Sequence, residues 1–188
     1  MIQEDNKHKT CDTLILLAST LEALGLTAVI ASAIILQIYF HELPCPLCIL
    51  QRFGILGIIT ATSLNLRFGY NQRHVGLVIL FAMFTGAVSL RQICLHVIPG
   101  TGSYGDPLFG LHLYTWVFII SCIILFYNAL VLCFDVPKNY VTDNLVYQYF
   151  KSIAFIFVMI VLVANSLGIL MECGLDFCPD NPIQYKYT

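Results

Sequence analysis

Five long apolar stretches follow one another along the chain, at Thr13–Phe40, Pro46–Leu64, Val75–Ile98, Leu111–Phe134 and Ser152–Met171, and the segments between them hold most of the charge. A helical crossing of a bilayer core needs about 20 predominantly apolar residues, and each stretch is about that long or longer. The pattern predicts an all-α integral membrane protein, a bundle of about five transmembrane spans in which residues 1–188 form a single domain. The first stretch has the hydropathy of a secretory leader. It is long, however, contains Glu22 and lacks a small-residue cleavage site before the second stretch, so it reads as retained.

The basic residues Lys7, Lys9, Arg67, Arg73, Lys138 and Lys151 fall in the N-terminal tail and in the second and fourth connections, which share one side if there are five crossings. The opposite segments, His41–Pro44, Pro99–Gly110 and the tail after Met171, hold Lys186 as their single basic residue beside Glu42, Asp106, Glu172, Asp176 and Asp180. The positive-inside rule then predicts a cytoplasmic N-terminus and an external C-terminus. Tyr39, Phe40, Tyr114 and Trp116 lie where interfacial aromatics belong. Composition agrees: 59% hydrophobic and 11% charged residues, with a mean hydropathy of +0.83, exclude an ordinary soluble domain. A net charge of −2 offers no basic surface for nucleic acid.

The chemistry is carried by polar exceptions. Five crossings put the pairs Cys45-Pro46-Leu47-Cys48 and Cys173-x4-Cys178 on the same face of the membrane, where thiol exchange between them is possible; four would separate them. Pro46 suits a first helical position, which makes Cys45 the expected N-cap of the second span and places Cys48 third in the helix. Free backbone donors and the positive end of the helix dipole favour a thiolate at Cys48 and make it the more reactive sulfur. Arg52 lies one turn deeper on the same face, and a guanidinium at that depth must snorkel, pair or hold a polar ligand head. A sulfur pair, a cation and the lipid phase at one place suit electron transfer to a lipid-soluble acceptor. Two plainer readings compete: four thiolates holding zinc, and a structural disulfide at Cys173 and Cys178. An oxidising exterior argues against the first, and no metal site is expected; the second leaves Arg52 unexplained.

The run Pro44-Cys45-Pro46-Leu47-Cys48-Ile49-Leu50-Gln51-Arg52 resembles the quinone-dependent thiol oxidases of the bacterial DsbB family. So do Arg91-Gln92-x3-His96-x2-Pro99-Gly100, the run Gly110 to Trp116, and the ending Glu172-Cys173-Gly174 to Cys178-Pro179-Asp180-Asn181-Pro182. The resemblance implies a multi-pass protein of the bacterial inner membrane that reoxidises a periplasmic, thioredoxin-fold DsbA-like oxidase and passes its electrons to ubiquinone or menaquinone. It makes Cys45 and Cys48 the quinone-proximal pair, with Cys48 facing the quinone, Arg52 at the quinone site and Cys45 exchanging with an outer pair, Cys173 and Cys178. The best-known members have four spans and carry the outer cysteines between the third and fourth. Here that connection has none, and the pair stands after a fifth span, as in a separate branch.

A membrane acceptor also fits the energetics. DsbA-type oxidases sit near about −120 mV and cytosolic glutathione near about −220 mV, so that transfer would cost on the order of 5 kcal/mol. Arg91, Gln92 and His96 are further candidates for the quinone pocket, with snorkelling as the plain alternative for Arg91 and Gln92; His112 stands at similar depth. Glu22 admits two readings, proton handling or a hydrogen bond to a neighbouring helix. Cys11, Cys122 and Cys133 read as buried, reduced packing residues, and Cys94 has no evident partner. A vitamin-K-epoxide-reductase-like enzyme is the runner-up, although in that family the C-x-x-C opens a late span, and a thiolate metal-handling protein is the third reading.

Overall fold

The computed structural model describes residues 2–40, 44–97, 107–133 and 145–174. They form five helices: α1 (Ile2–Phe40), α2 (Pro46–Phe68), α3 (Gln72–His96), α4 (Leu113–Leu132) and α5 (Leu145–Cys173). The connections at 98–106 and 134–144, and the tail from 175 with Cys178, lie outside the described residues. Among the described residues, four helices are long and apolar enough to cross a membrane, and α5 carries a shorter apolar stretch at Phe155–Met171. The chain is therefore a helical integral membrane protein.

Helix boundaries follow local chemistry. Cys45 caps α2 and Pro46 opens it, as the sequence predicts. The helix stops at Gly69, whose φ of 85° suits a residue without Cβ. Asn71 caps α3 by accepting the Arg73 N–H at 3.0 Å, and Asn65 holds the turn by accepting from the Asn71 N–H at 3.0 Å. Between α3 and α4, Leu108 and Leu111 pair across a turn whose central residues, Phe109 and Gly110, both have positive φ. The Trp116 indole N–H donates to the Leu108 carbonyl at 3.0 Å and ties this turn to α4.

The most buried span is α2. It packs against α1 and α3, α4 lies on α3, and α5 lies against α1 and α2. Leu26, Ile30, Ile55, Ile58, Ile59, Val78, Ile124, Val158 and Val161 meet in the core. Leu21, Leu80, Phe126 and Ile160 point outward, as expected when the solvent is lipid. Lipid supplies little hydrophobic force between helices, so close packing has to hold them together. Gly54 lets α3 approach until a Cβ would strike Thr85 Oγ1, which is pinned by its own hydrogen bond to the Phe81 carbonyl at 2.7 Å. Gly54→Ala is therefore expected to lower stability by about 1–3 kcal/mol, the usual cost of overpacking, as measured by thermal unfolding in detergent.

The outward faces change one expectation. Cys122 on α4 and Cys133 at its C-cap are exposed instead of buried. Tyr114, in the first turn of α4, is 6% exposed and has the rings of His96 and His112 against it.

Candidate functional site

Cys45 and Cys48 are joined by a disulfide at the N-terminus of α2, with Cα atoms 5.0 Å apart. The Cys48 N–H donates to Cys45 Sγ at 3.1 Å, so the sulfur takes the place of the usual capping oxygen. Cys45 is 4% exposed, while Cys48 is half-buried and is the more accessible of the two.

Both sulfurs face Gln92 of α3. Its carboxamide N–H is directed at Cys45 Sγ at 3.5 Å and Cys48 Sγ at 3.6 Å. Gln92 is fully buried, and its own oxygen accepts from Gln51 Nε2 at 2.8 Å. Gln51 stands three residues after Cys48 on α2, so the helix that carries the disulfide also orients the amide that serves it. Gln92→Leu should slow alkylation of the reduced Cys48 about tenfold, since a hydrogen bond to a charged acceptor contributes roughly 1.5 kcal/mol or more. Alkylation timed by mass spectrometry checks this, and an unchanged rate would remove Gln92 from the site.

Arg52 turns toward α1. Its guanidinium donates to Gln37 Oε1 at 2.6 Å and to the Ala33 carbonyl at 3.3 Å. Arg91 is exposed on α3, so adjacent residues of one motif separate, Gln92 inward and Arg91 outward. His96 lies against Tyr114, with ring centroids 5.7 Å apart, and His112 stacks on the same tyrosine at 5.3 Å. The backbone of Cys173 ends α5, and Cys178 lies outside the described residues.

Glu22 accepts from Thr62 Oγ1 at 3.2 Å and from Asn128 Nδ2 at 3.3 Å, which links α1, α2 and α4. It lies 15 residues before Gln37, about 22 Å away along the helix, at the end of the bundle opposite the disulfide. The hydrogen-bonded reading of Glu22 describes what is seen. Sequence reasoning assigned no role to Gln37, Gln51 or Asn128. Their one signal was a polar side chain inside an apolar helix.

A half-buried disulfide capping a membrane helix, served by a buried amide and followed one turn later by a paired arginine, defines a class of membrane protein built around a thiol–disulfide centre. Residues 16–104 match the family Disulfide bond formation protein DsbB, and over that segment, a little under half of the chain, the sequence is similar to that family. Disulfide bond formation protein B of Xylella fastidiosa is 35% identical over 89 residues, covering 44% of this chain and 51% of that protein. The chain thus matches about half the length of this curated relative. No solved structure matches it. The matched segment contains Cys45, Cys48, Arg52, Arg91, Gln92 and His96; α4, α5 and the tail cysteines lie beyond it.

Proposed function

We propose that this chain is a membrane protein-disulfide oxidase that reoxidises a periplasmic DsbA-like thioredoxin-fold oxidase and reduces ubiquinone or menaquinone in the cytoplasmic membrane. The observation that carries the reading is the Cys45–Cys48 disulfide at the mouth of a membrane helix, with the Gln92 amide on both sulfurs and Arg52 one turn deeper. The partner's dithiol gives two electrons and two protons to a Cys173–Cys178 disulfide, and the resulting dithiol passes them to Cys45–Cys48. One quinone accepts them and becomes hydroquinone. At the inner pair Cys45 is the sulfur attacked by the outer pair and Cys48 the one released toward the lipid, where the helix N-terminus and Gln92 stabilise it as thiolate. Arg91, Gln92 and His96 complete the surroundings of the acceptor.

The relay needs α5 to cross. In support, Val158 and Val161 of α5 pack against Leu26, Ile30 and Ile58, mid-span residues of α1 and α2. The test uses the full chain in lipid nanodiscs with a reduced DsbA-like partner, following quinone absorbance and trapping the mixed disulfide. Quinone consumption tied to partner oxidation is expected. If no dithiol drives quinone reduction, the reading fails, and a C-terminus labelled from the cytoplasm would end the two-pair relay.

A further inference from the structure

The turn that leads into α4 holds an aromatic ring away from the protein at a cost in backbone conformation. Leu108 and Leu111 exchange two backbone hydrogen bonds, at 2.9 and 3.1 Å, across Phe109 and Gly110. The two central residues have φ of 52° and 81°, the left-handed geometry of a two-residue hairpin turn that Asn-Gly and Asp-Gly fit best. Phenylalanine suits the first of these positions poorly, because its Cβ crowds the carbonyl that follows. Its ring is not held there by packing, for Phe109 is 90% exposed. A strained residue that touches so little of its own chain points to a contact outside it.

The surroundings of the turn decide what that contact is. From Pro107 to Phe134 the sequence contains no Asp, Glu, Lys or Arg, so the lipid-compatible stretch begins ahead of Leu113, the first residue of α4. Leu108, Phe109, Leu111 and Leu113 are all exposed, which carries the outward apolar surface of the helix onto the turn without a charged break. Depth agrees. The 20 residues of α4 span about 30 Å, the thickness of the bilayer hydrocarbon, so Leu113 stands at its boundary. Tyr114 meets His96, one turn beyond Gln92 on α3, and this boundary is therefore the one on the side of the Cys45–Cys48 disulfide. The Trp116 indole bond to the Leu108 carbonyl folds the turn back onto the first turn of α4, so it stays within a headgroup layer roughly 5–7 Å thick.

We propose that Phe109 is a lipid anchor: its ring, with Leu108 and Leu111 beside it, enters the headgroup and upper acyl region of the leaflet on the disulfide side and holds the α3–α4 turn against the bilayer. A water-facing turn of this geometry is best served by Asn or Asp at its first central position, whereas a phenyl ring gains by leaving water for the interface. Docking into an apolar surface of a soluble protein would need the turn to stand clear of the lipid, and the Trp116 bond opposes that. The anchored turn adjoins Tyr114 and the two histidine rings against it, so the anchor sets the depth of that end of α3 and α4.

The test uses the full chain in lipid nanodiscs, with its single tryptophan, Trp116, as the reference. Phe109→Trp adds one indole at the tip of the turn. The added emission should be blue-shifted from that of tryptophan in water, quenched by a nitroxide on the lipid headgroup or upper chain, and insensitive to aqueous iodide. Emission quenched by iodide and untouched by the lipid nitroxides would overturn the anchor. So would a blue shift that appears only when a DsbA-like protein is added, which would make the ring a partner contact. Phe109→Asn sets the two influences on the turn against each other, read by hydrogen exchange of the segment 107–112 with the melting temperature as fold control. Asn suits the backbone better and by itself would slow exchange; loss of the anchor should instead raise it about tenfold. Exchange that slows or stays unchanged in a folded Phe109→Asn protein would refute the proposal.

Discussion

Cys48→Ser is expected to reduce quinone reduction to the uncatalysed level with every electron donor, protein or small dithiol, because of the two sulfurs at the mouth of α2 Cys48 is the more accessible and Cys45 is 4% exposed. Replacing both Cys173 and Cys178 by Ser should instead abolish turnover with the protein partner yet leave dithiothreitol able to drive quinone reduction, since that reaction needs only the inner pair. The comparison is made by quinone absorbance with the two donors in parallel. Normal partner turnover in the tail double variant would make the tail disulfide structural, withdraw both tail cysteines from the relay and require the partner to attack Cys45 directly. Cys45 is 4% exposed, so attack on it by the partner, as by the tail dithiol, needs the sulfur to be uncovered first.

Arg52→Ala should raise the quinone KM by about 10- to 100-fold, the range expected when a charged hydrogen bond is lost from a low-dielectric site. Arg52→Lys keeps the charge but not the planar fork, and should fall between. The fold should suffer less. Arg52 ties α1 to α2 through Gln37 and Ala33, and hydrogen bonds between membrane helices average about 0.6 kcal/mol each. Gln37→Leu separates the two roles, because it loses part of the tie and leaves the guanidinium in place. A well-folded Arg52→Ala protein with wild-type quinone kinetics would remove Arg52 from the acceptor site.

What the sequence disclosed and what it hid divide by distance along the chain. The start of α2 was legible because its cause lies within four residues: a proline fit for a first helical position and a cysteine before it. Helix existence was equally plain, since each apolar stretch exceeds what a soluble fold leaves uninterrupted. Partners were not legible. Gln92 meets Cys45 across 47 residues, and Asn128 meets Glu22 across 106, and no local pattern encodes either meeting. Neither periodicity nor motif separated Arg91 from Gln92, because neighbours on a helix diverge by about 100° and only the position of α2 decides which one faces inward. The exposure of Cys122 and Cys133 had the same origin: hydrophobic residues in a membrane helix face lipid as readily as protein, so an apolar side chain carries no directional information there.

One consequence of the Gln92 arrangement concerns direction. An amide hydrogen within reach of two sulfurs eases the departure of either one, so electrons can enter and leave the pair over barriers lowered by the same group. A carboxamide does not titrate in water, and this assistance persists unchanged from acidic to alkaline surroundings. The centre is thus built as a reversible junction and not as a valve. Which way electrons run through the pair is then set by the redox poise of whatever it exchanges with, and not by the amide.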